Sequence, residues 1–432
     1  MQYTLIAAFL VLFIAALSRS AYTLAFLILM FPLEIVLQAG SPVLRSSTIG
    51  LRGVNIAALV VCLWNAFRLA FNGQLHLGRY ASPASLFTIA LYVWSSVTLL
   101  WSPGAIDGLD LMSSQWPYVF IGLFLAPPLA TNIDFIIRVE KALLIIGVGL
   151  CAVTLTSSDF TSVGGRLVVE YEANVKSNPL AIGELGGIAI ILGLTTWKSA
   201  AWWIAPLRWC AVLMGAAVSI RSGSRGQFLF ALVIAVAFVP IATKVRSVKN
   251  LLVSAVAVVV VLAISQYLMD SLLTGFAAKR FGFEEIVYGN SSTDTRLSNV
   301  SSLASAWAAN PFAWLFGLGF ASFGQLTGSI GGYSHVLFAD AIFELGFVGL
   351  ALLLGFISSV LAAAIRLFVA NKDDPAARAG VGAWIALFVY QALLVNKQGN
   401  LWGNIWFFMI GLVIARLDSA RQDSADAGID ST

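Results

Sequence analysis

The sequence predicts an all-α, polytopic integral membrane protein with about twelve to fourteen transmembrane helices and one large, partly helical outer loop. Three observations carry that prediction. Of 432 residues, 59% are apolar and only 11% charged, whereas soluble domains carry roughly a quarter charged residues. So few charges cannot clothe a water-facing surface, which excludes a soluble enzyme. The mean hydropathy is +0.90. The apolar residues also fall in runs close to the roughly 20 residues a helix needs to cross the hydrocarbon.

The runs lie near 3–18, 21–38, 54–72, 82–101, 115–131, 142–157, 179–196, 200–220, 226–243, 249–268, 335–369, 379–396 and 399–416. Only Ser18-Arg19-Ser20 separates the first two. Met1-Gln2-Tyr3 has no basic n-region and no convincing cleavage site follows, so the first run reads as an uncleaved span. The chain divides into N-terminal transmembrane helices (1–157), a core carrying the outer loop 269–334 (158–370), C-terminal transmembrane helices (371–417) and a short polar tail (418–432). That tail is expected to be disordered and cytoplasmic.

The net charge of +4 is small and scattered, so nucleic acid is not an expected partner. Cys62, Cys151 and Cys210 are far apart inside apolar runs and read as packing residues. With His76 and His335 as the only histidines, no zinc or His-rich metal site is expected. Lysines and arginines in short loops mark the cytoplasmic side. Lys244, Arg246 and Lys249 mark one such loop, and Arg366, Lys372 and Arg378 mark another. Arg138, Lys141 and the Arg416/Arg421 tail share that side if spans alternate. The segments 158–178, 221–225 and 269–334 then lie outside. That outer face carries Arg166, Lys176, Arg221, Arg225, Lys279, Arg280 and Arg296. Either these are statistical exceptions to the charge rule or they are held there for an anionic ligand.

Three segments have the residue types for chemistry. In Ile220-Arg221-Ser222-Gly223-Ser224-Arg225-Gly226-Gln227, two arginines stand four apart and share a face if the turn is helical. They are snorkelling anchors, or they hold a phosphate through paired N–H donors. In the outer loop, Ser291-Ser292-Thr293-Asp294 supplies N-cap chemistry, and a helical pattern runs from Arg296 to Asn310. Asn310-Pro311 ends it, and the aromatic, glycine-broken stretch from Phe312 to Phe320 suits the membrane interface. The loop is expected to cap the bundle. In Gly331-Gly332-Tyr333-Ser334-His335, the histidine stands at the start of a span that carries Asp340 and Glu344, an i,i+4 pair. His335 is either a structural hydrogen-bonder or a group able to take a proton near neutral pH. Nine residues separate it from Glu344, so a direct His–Glu dyad is not expected.

Together these pieces resemble the O-antigen ligase/Wzy-type polysaccharide polymerase superfamily over roughly residues 160–370. The resemblance rests on four features. They are Ser224-Arg225-Gly226 between two spans; Gly165-Arg166 running to Asn178-Pro179; Asp294-Thr295-Arg296 leading to Asn310-Pro311 and Gly317-Leu318-Gly319; and His335 followed by Glu344, Gly346 and Gly349. The resemblance implies a metal-independent, cofactor-free, inverting glycosyl transfer at the periplasmic face of the bacterial inner membrane. The donor it implies is a glycan on undecaprenyl diphosphate. It assigns Arg225 and Arg296 to the diphosphate and His335 to the acceptor hydroxyl. Arg166, Arg221, Arg280 and Asn178 are expected to bind diphosphate or glycan, with Asp340 and Glu344 in support. A polar residue often follows the histidine in the family; here it is Val336. The implied partners are the lipid-linked oligosaccharide, the bilayer, and a chain-length regulator and flippase of the same pathway. Polymerisation of repeat units is the leading expectation. A ligase moving polymer onto a lipid A core, and a lipid-linked glycan flippase, are the alternatives. A transporter is expected to show two similar halves and broken midplane helices.

Overall fold

The computed structural model describes residues 2–41, 44–45, 48–73, 82–163, 166–169, 177–195, 202–243, 291–328 and 333–426. Among these the protein is all-α apart from one small hairpin. Among the described residues, five helices are long and apolar enough to cross a membrane: Arg52–Phe71, Pro83–Leu100, Ile204–Arg221, Gly346–Ala370 and Pro375–Leu394. Gln2–Ser18, Pro179–Thr195 and Arg225–Phe238 are shorter apolar helices. The expected span 249–268 and the loop carrying Lys244, Arg246 and Lys249 lie outside the described residues.

Three expected spans differ in detail. The run 21–38 is two helices, Ser20–Ile28 and Met30–Gly40, bent by 73°. The run 115–131 is not one helix. Ala105–Phe120 contains Pro117 and passes into a π turn over Ile121–Leu125 and a 3-10 turn over Pro127–Leu129. Proline lacks the N–H that a regular helix needs there. The span expected from 335 begins at Gly346.

The chain folds as two compact units, each gathered from separated segments. The first comprises Met1–Asn72, Asn132–Val287 and Phe368–Tyr390. The break at Arg19 is real, and its freed carbonyls are satisfied internally. Ala16 O accepts from Thr23 Oγ1 and Asn65 Nδ2, both at 2.8 Å. Ile133–Thr156 starts on an Asn132 cap, whose Oδ1 accepts from Phe135 N at 2.8 Å. Pro179–Thr195 packs against Ile204–Arg221 through small residues, which let apolar helices approach without a hydrophobic driving force. A Cβ added to Gly186 would stand 2.2 Å from Ser219 Oγ and 2.4 Å from Gly215 O. At the other end of that pair, Arg208 Nε donates to Gly193 O at 2.9 Å. The hairpin pairs Thr161–Val163 antiparallel with Arg166–Val168.

The second unit comprises Gly73–Thr131, Tyr288–Leu367 and Gln391–Thr432. Its helix Pro83–Val97 opens with a Ser82 cap and a proline in its first turn. The core includes Tyr92, Phe356, Trp402, Phe407 and Phe408, with Tyr92 edge-on to Trp402 and Phe408 at 5.2 and 5.4 Å. The buried polar tips are paired: Tyr92 Oη donates to Leu401 O and Trp402 Nε1 to Ser95 Oγ. In the outer loop the expected helix begins at Ser291, five residues before Arg296, and runs to Ala308. Asn310 then caps a second helix, Pro311–Phe316, so Asn310-Pro311 is a junction as well as a stop.

The tail expected to be disordered is helical as far as Asp426, within Ile405–Asp426. Composition misses the reason. Asp418 is buried and paired with Arg366 at 2.7 Å, with Arg421 at 3.6 Å, so the polar segment is anchored by charge. Of the cysteines, Cys62 and Cys151 are buried whereas Cys210 is exposed, so packing describes only the first two.

Candidate functional site

The turn that carries His335 is built by its neighbours. Ser334 is fully buried; its Oγ accepts from Val336 N at 3.0 Å and donates to Asp340 Oδ1. Those bonds bracket His335, which sits at φ +65°, a left-handed conformation a non-glycine residue adopts only under constraint. The imidazole is half-buried, with the Tyr333 ring at 4.3 Å. Beyond it, Leu337 N donates to Val395 O at 3.1 Å and Phe338 N to Asn396 Oδ1 at 3.3 Å, tying the turn to the segment after Gln391.

Asp340 and Glu344 are not a simple i,i+4 pair on one α-helical face. Residues 340–344 form a π turn, closed by Leu345 N donating to Asp340 O at 3.3 Å. The wider turn separates their tasks. Asp340 receives Ser334, while Glu344 accepts Ala321 N at 3.2 Å and Phe323 N at 3.0 Å. Both carboxyls are buried and precede the Gly346–Ala370 span. Burial pushes both above the ordinary carboxylate range, and the neighbouring Glu344 charge raises Asp340 further. With both oxygens engaged by backbone amides, Glu344 holds the 317–323 segment.

That segment meets Glu344 backbone to backbone. Leu318 N donates to Phe343 O and Gly319 N to Glu344 O, each at 2.9 Å. At Gly317, φ is +83° and an added Cβ would lie 2.1 Å from Glu344 O. At Gly346, φ is +71° and the nearest atom would be Leu315 O at 2.3 Å. Only glycine fits either place. The two motifs that carry the resemblance here, Gly317-Leu318-Gly319 and Glu344-x-Gly346, are therefore two sides of one junction.

The arginine turn belongs to the first unit. Arg221 ends one helix and Arg225 begins the next, with Gly223 at φ +67° between them. The expected shared helical face does not exist, because the left-handed glycine reverses the chain between the arginines. Arg221 Nη1 donates to Leu155 O at 3.0 Å, which makes it a cap on the end of Ile133–Thr156. Ser222 Oγ donates to Ser219 O at 2.7 Å and accepts from Ser224 N at 3.2 Å. Ser224 Oγ donates to Pro179 O at 3.3 Å, so the Ser224-Arg225-Gly226 and Asn178-Pro179 motifs are neighbours. Arg225 itself is half-buried.

The remaining expected residues fall as follows. Arg166 is exposed at the start of the second hairpin strand, paired with Val163. Asn178 Oδ1 accepts from Leu180 N at 3.0 Å, capping the Pro179–Thr195 helix. Arg296 lies on the Ser291–Ala308 helix. Arg280, Lys279, Lys176, Gly165, Gly331 and Gly332 lie outside the described residues. Sequence reasoning missed Ser334, Ser222 and the Ala321 and Phe323 amides as builders of these turns. A serine two residues before Val336 and six before Asp340 is the signal that was there to read.

Residues 209–354 match the family model described as O-antigen ligase. This is about a third of the chain, and it includes Arg225, Arg296 and His335. The resemblance to the O-antigen ligase/Wzy-type superfamily rests on that stretch. Among the solved structures that match, one does so at 15% identity and a TM-score of 0.42, covering 78% of this chain and 97% of the other. It is described as "Structural coordination of polymerization and crosslinking by a peptidoglycan synthase complex". No curated relative matches the chain.

Proposed function

We propose that the protein polymerises undecaprenyl-diphosphate-linked oligosaccharide repeat units at the periplasmic face of the inner membrane. The acceptor hydroxyl oxygen bonds to the anomeric carbon of the donor as the bond to the diphosphate oxygen breaks, inverting that centre. His335 takes the hydroxyl proton, and Arg225 and Arg296 neutralise the departing diphosphate. A sugar diphosphate is already activated, so what the reaction needs is positive charge where the leaving group gains negative charge, together with held reactants. Arg166, Arg221, Arg280 and Asn178 assist in binding, Asp340 positions the histidine turn, and Glu344 supports the site by holding the 317–323 segment. A chain-length regulator and a flippase supply and limit the substrate.

The observation that carries this reading is the left-handed His335, bracketed by Ser334 and Asp340 inside the family-matched stretch. Incubating purified full-length protein with lipid-linked oligosaccharide alone should give a product ladder. Arg225→Ala, Arg296→Ala and His335→Ala should each stop its growth while the protein still inserts. Wild-type ladders in all three would refute the assignment. Arg225→Lys should rescue poorly if paired donors matter.

A second reading follows from the family description itself: a ligase moves finished polymer onto a lipid A core. A single transfer product, appearing only when core acceptor is added, decides for it. Among the described residues, the 73° bend between Ser20–Ile28 and Met30–Gly40 is a feature that favours a flippase. Translocation of lipid-linked glycan in reconstituted vesicles, without any new glycosidic bond, would establish that role instead.

A further inference from the structure

Ile133–Thr156 carries charge at both ends, and only one end belongs to the arginine turn. Arg221 meets Leu155 at the C-terminal end. From Leu155 back to Arg138 the helix runs about 25 Å, at a rise of about 1.5 Å per residue. There a cavity of about 590 Å³ is lined by Arg19, Arg68, Arg138 and Lys141. No carboxylate among the described residues lines it. The neighbouring Glu140 is buried and turns toward Gly380, where an added Cβ would lie 3.4 Å from its Oε1.

Cations at a membrane edge are ordinary when they spread outward into water. These four line one cavity. Arg68 is pre-set by neutral acceptors: Nη1 donates to Ser18 O at 2.6 Å and Nη2 to Asn65 Oδ1 at 2.9 Å, so its charge is undiminished. Arg19 and Arg138 are exposed and have no ion-pair partner among the described residues. Arg19 owes its place to the helix break at Ser18-Arg19-Ser20, where its backbone is extended. Like charges drawn together repel unless an anion joins them, and guanidinium groups match phosphate oxygens bidentately. The rest of the wall includes Phe135, with Ile145 and Trp203 left 44% and 42% exposed. A tryptophan and an isoleucine beside a basic hollow suit a ligand with a charged head and an acyl tail, and tryptophan is itself an interfacial residue.

We propose that this cavity binds the phosphate headgroup of an anionic membrane lipid, with its acyl chain along Ile145 and Trp203. The site lies at the opposite end of the helix from the arginine turn and holds whether or not the protein transfers sugars. Native mass spectrometry of the full-length protein, released from detergent after equilibration with phosphatidylglycerol or phosphatidylcholine, tests it. Phosphatidylglycerol should be retained at least about tenfold better than phosphatidylcholine. The triple variant Arg19→Gln/Arg138→Gln/Lys141→Gln should lose about tenfold of that retention, while Lys372→Gln, at an exposed position elsewhere, leaves it unchanged. If the triple variant fails to fold, Arg19→Gln and Arg138→Gln singly should each cost about threefold. Wild-type retention in these variants, or equal retention of the two lipids, overturns the proposal. Displacement of the lipid by an equal concentration of inorganic pyrophosphate also overturns it, in favour of a soluble phosphate compound.

Discussion

Ser334→Ala tests the histidine turn through a residue that touches no substrate in the proposed reaction. The hydroxyl is fully buried and serves two partners, accepting from Val336 N and donating to Asp340. Its removal strips a backbone donor and a buried carboxyl of that partner, at about 1–3 kcal/mol each. A smaller term opposes this: without the bracket, His335 is free to leave φ +65°, which releases about 1–2 kcal/mol of left-handed strain. The losses exceed the relief, so the variant is less stable and its turn relaxes. Relaxation re-aims the imidazole, and a misplacement of about 1 Å in a catalytic group can cost about a hundredfold in rate. The assay is ladder growth by the full-length protein, measured alongside its thermal midpoint. The expected result is a rate loss of about 10- to 100-fold that exceeds the loss of folded protein, with partial recovery in Ser334→Thr. A wild-type rate in Ser334→Ala, or a rate loss that only follows unfolding, refutes the positioning role.

Gly317→Ala should lower the thermal midpoint by more than Gly328→Ala. Both glycines have positive φ, but a Cβ at 317 would strike Glu344 O at 2.1 Å, while nothing lies within 4 Å at 328. The difference isolates the clash, about 1–3 kcal/mol; equal midpoints would mean the 317–346 junction gives way freely. Arg366→Ala leaves the buried Asp418 with Arg421 at 3.6 Å and the Gln422 amide at 3.3 Å, so it should destabilise by roughly 3 kcal/mol. Denaturation of Arg421→Ala, the more distant partner, should show a clearly smaller effect. Glu344 is held above its ordinary value of 4.5, so it binds its proton more tightly folded than unfolded. Its contribution is therefore fully present below about pH 4.5 and declines as pH rises. Thermal midpoints from pH 4.5 to 8 should fall less steeply in Glu344→Gln than in the wild type, and identical slopes would show that Glu344 does not titrate there.

The all-α membrane class was legible because it depends on composition and run length, which a single sequence carries in full. Individual spans were less so. Pro117, Pro127 and Pro128 were visible, yet an apolar run with prolines reads by hydropathy as one span, while the backbone breaks into π and 3-10 turns. The tail failed for the opposite reason. Its composition is that of a disordered segment, but one long-range pair, Arg366 with Asp418, holds it in a helix, and no window around residue 418 contains residue 366.

The candidate site divides along the same line. Arg225, His335, Asp340 and Glu344 were picked out by residue type, yet their local geometry was set by residues whose type says little: serines, glycines and backbone amides. Gly317 and Gly346 show why. A glycine in a sequence says that something comes close or that the chain turns left, without saying what. Here it is the carbonyls of Glu344 and Leu315, each arriving from the far side of the junction. The same holds for Gly223, which made two arginines four apart look like one face when they belong to two helices. In a protein with so few polar side chains, backbone carbonyls and amides supply much of the polarity that positions the rest. Their partners are fixed by tertiary approach, so the chemistry-bearing residues can be named from the sequence while the turns that aim them cannot.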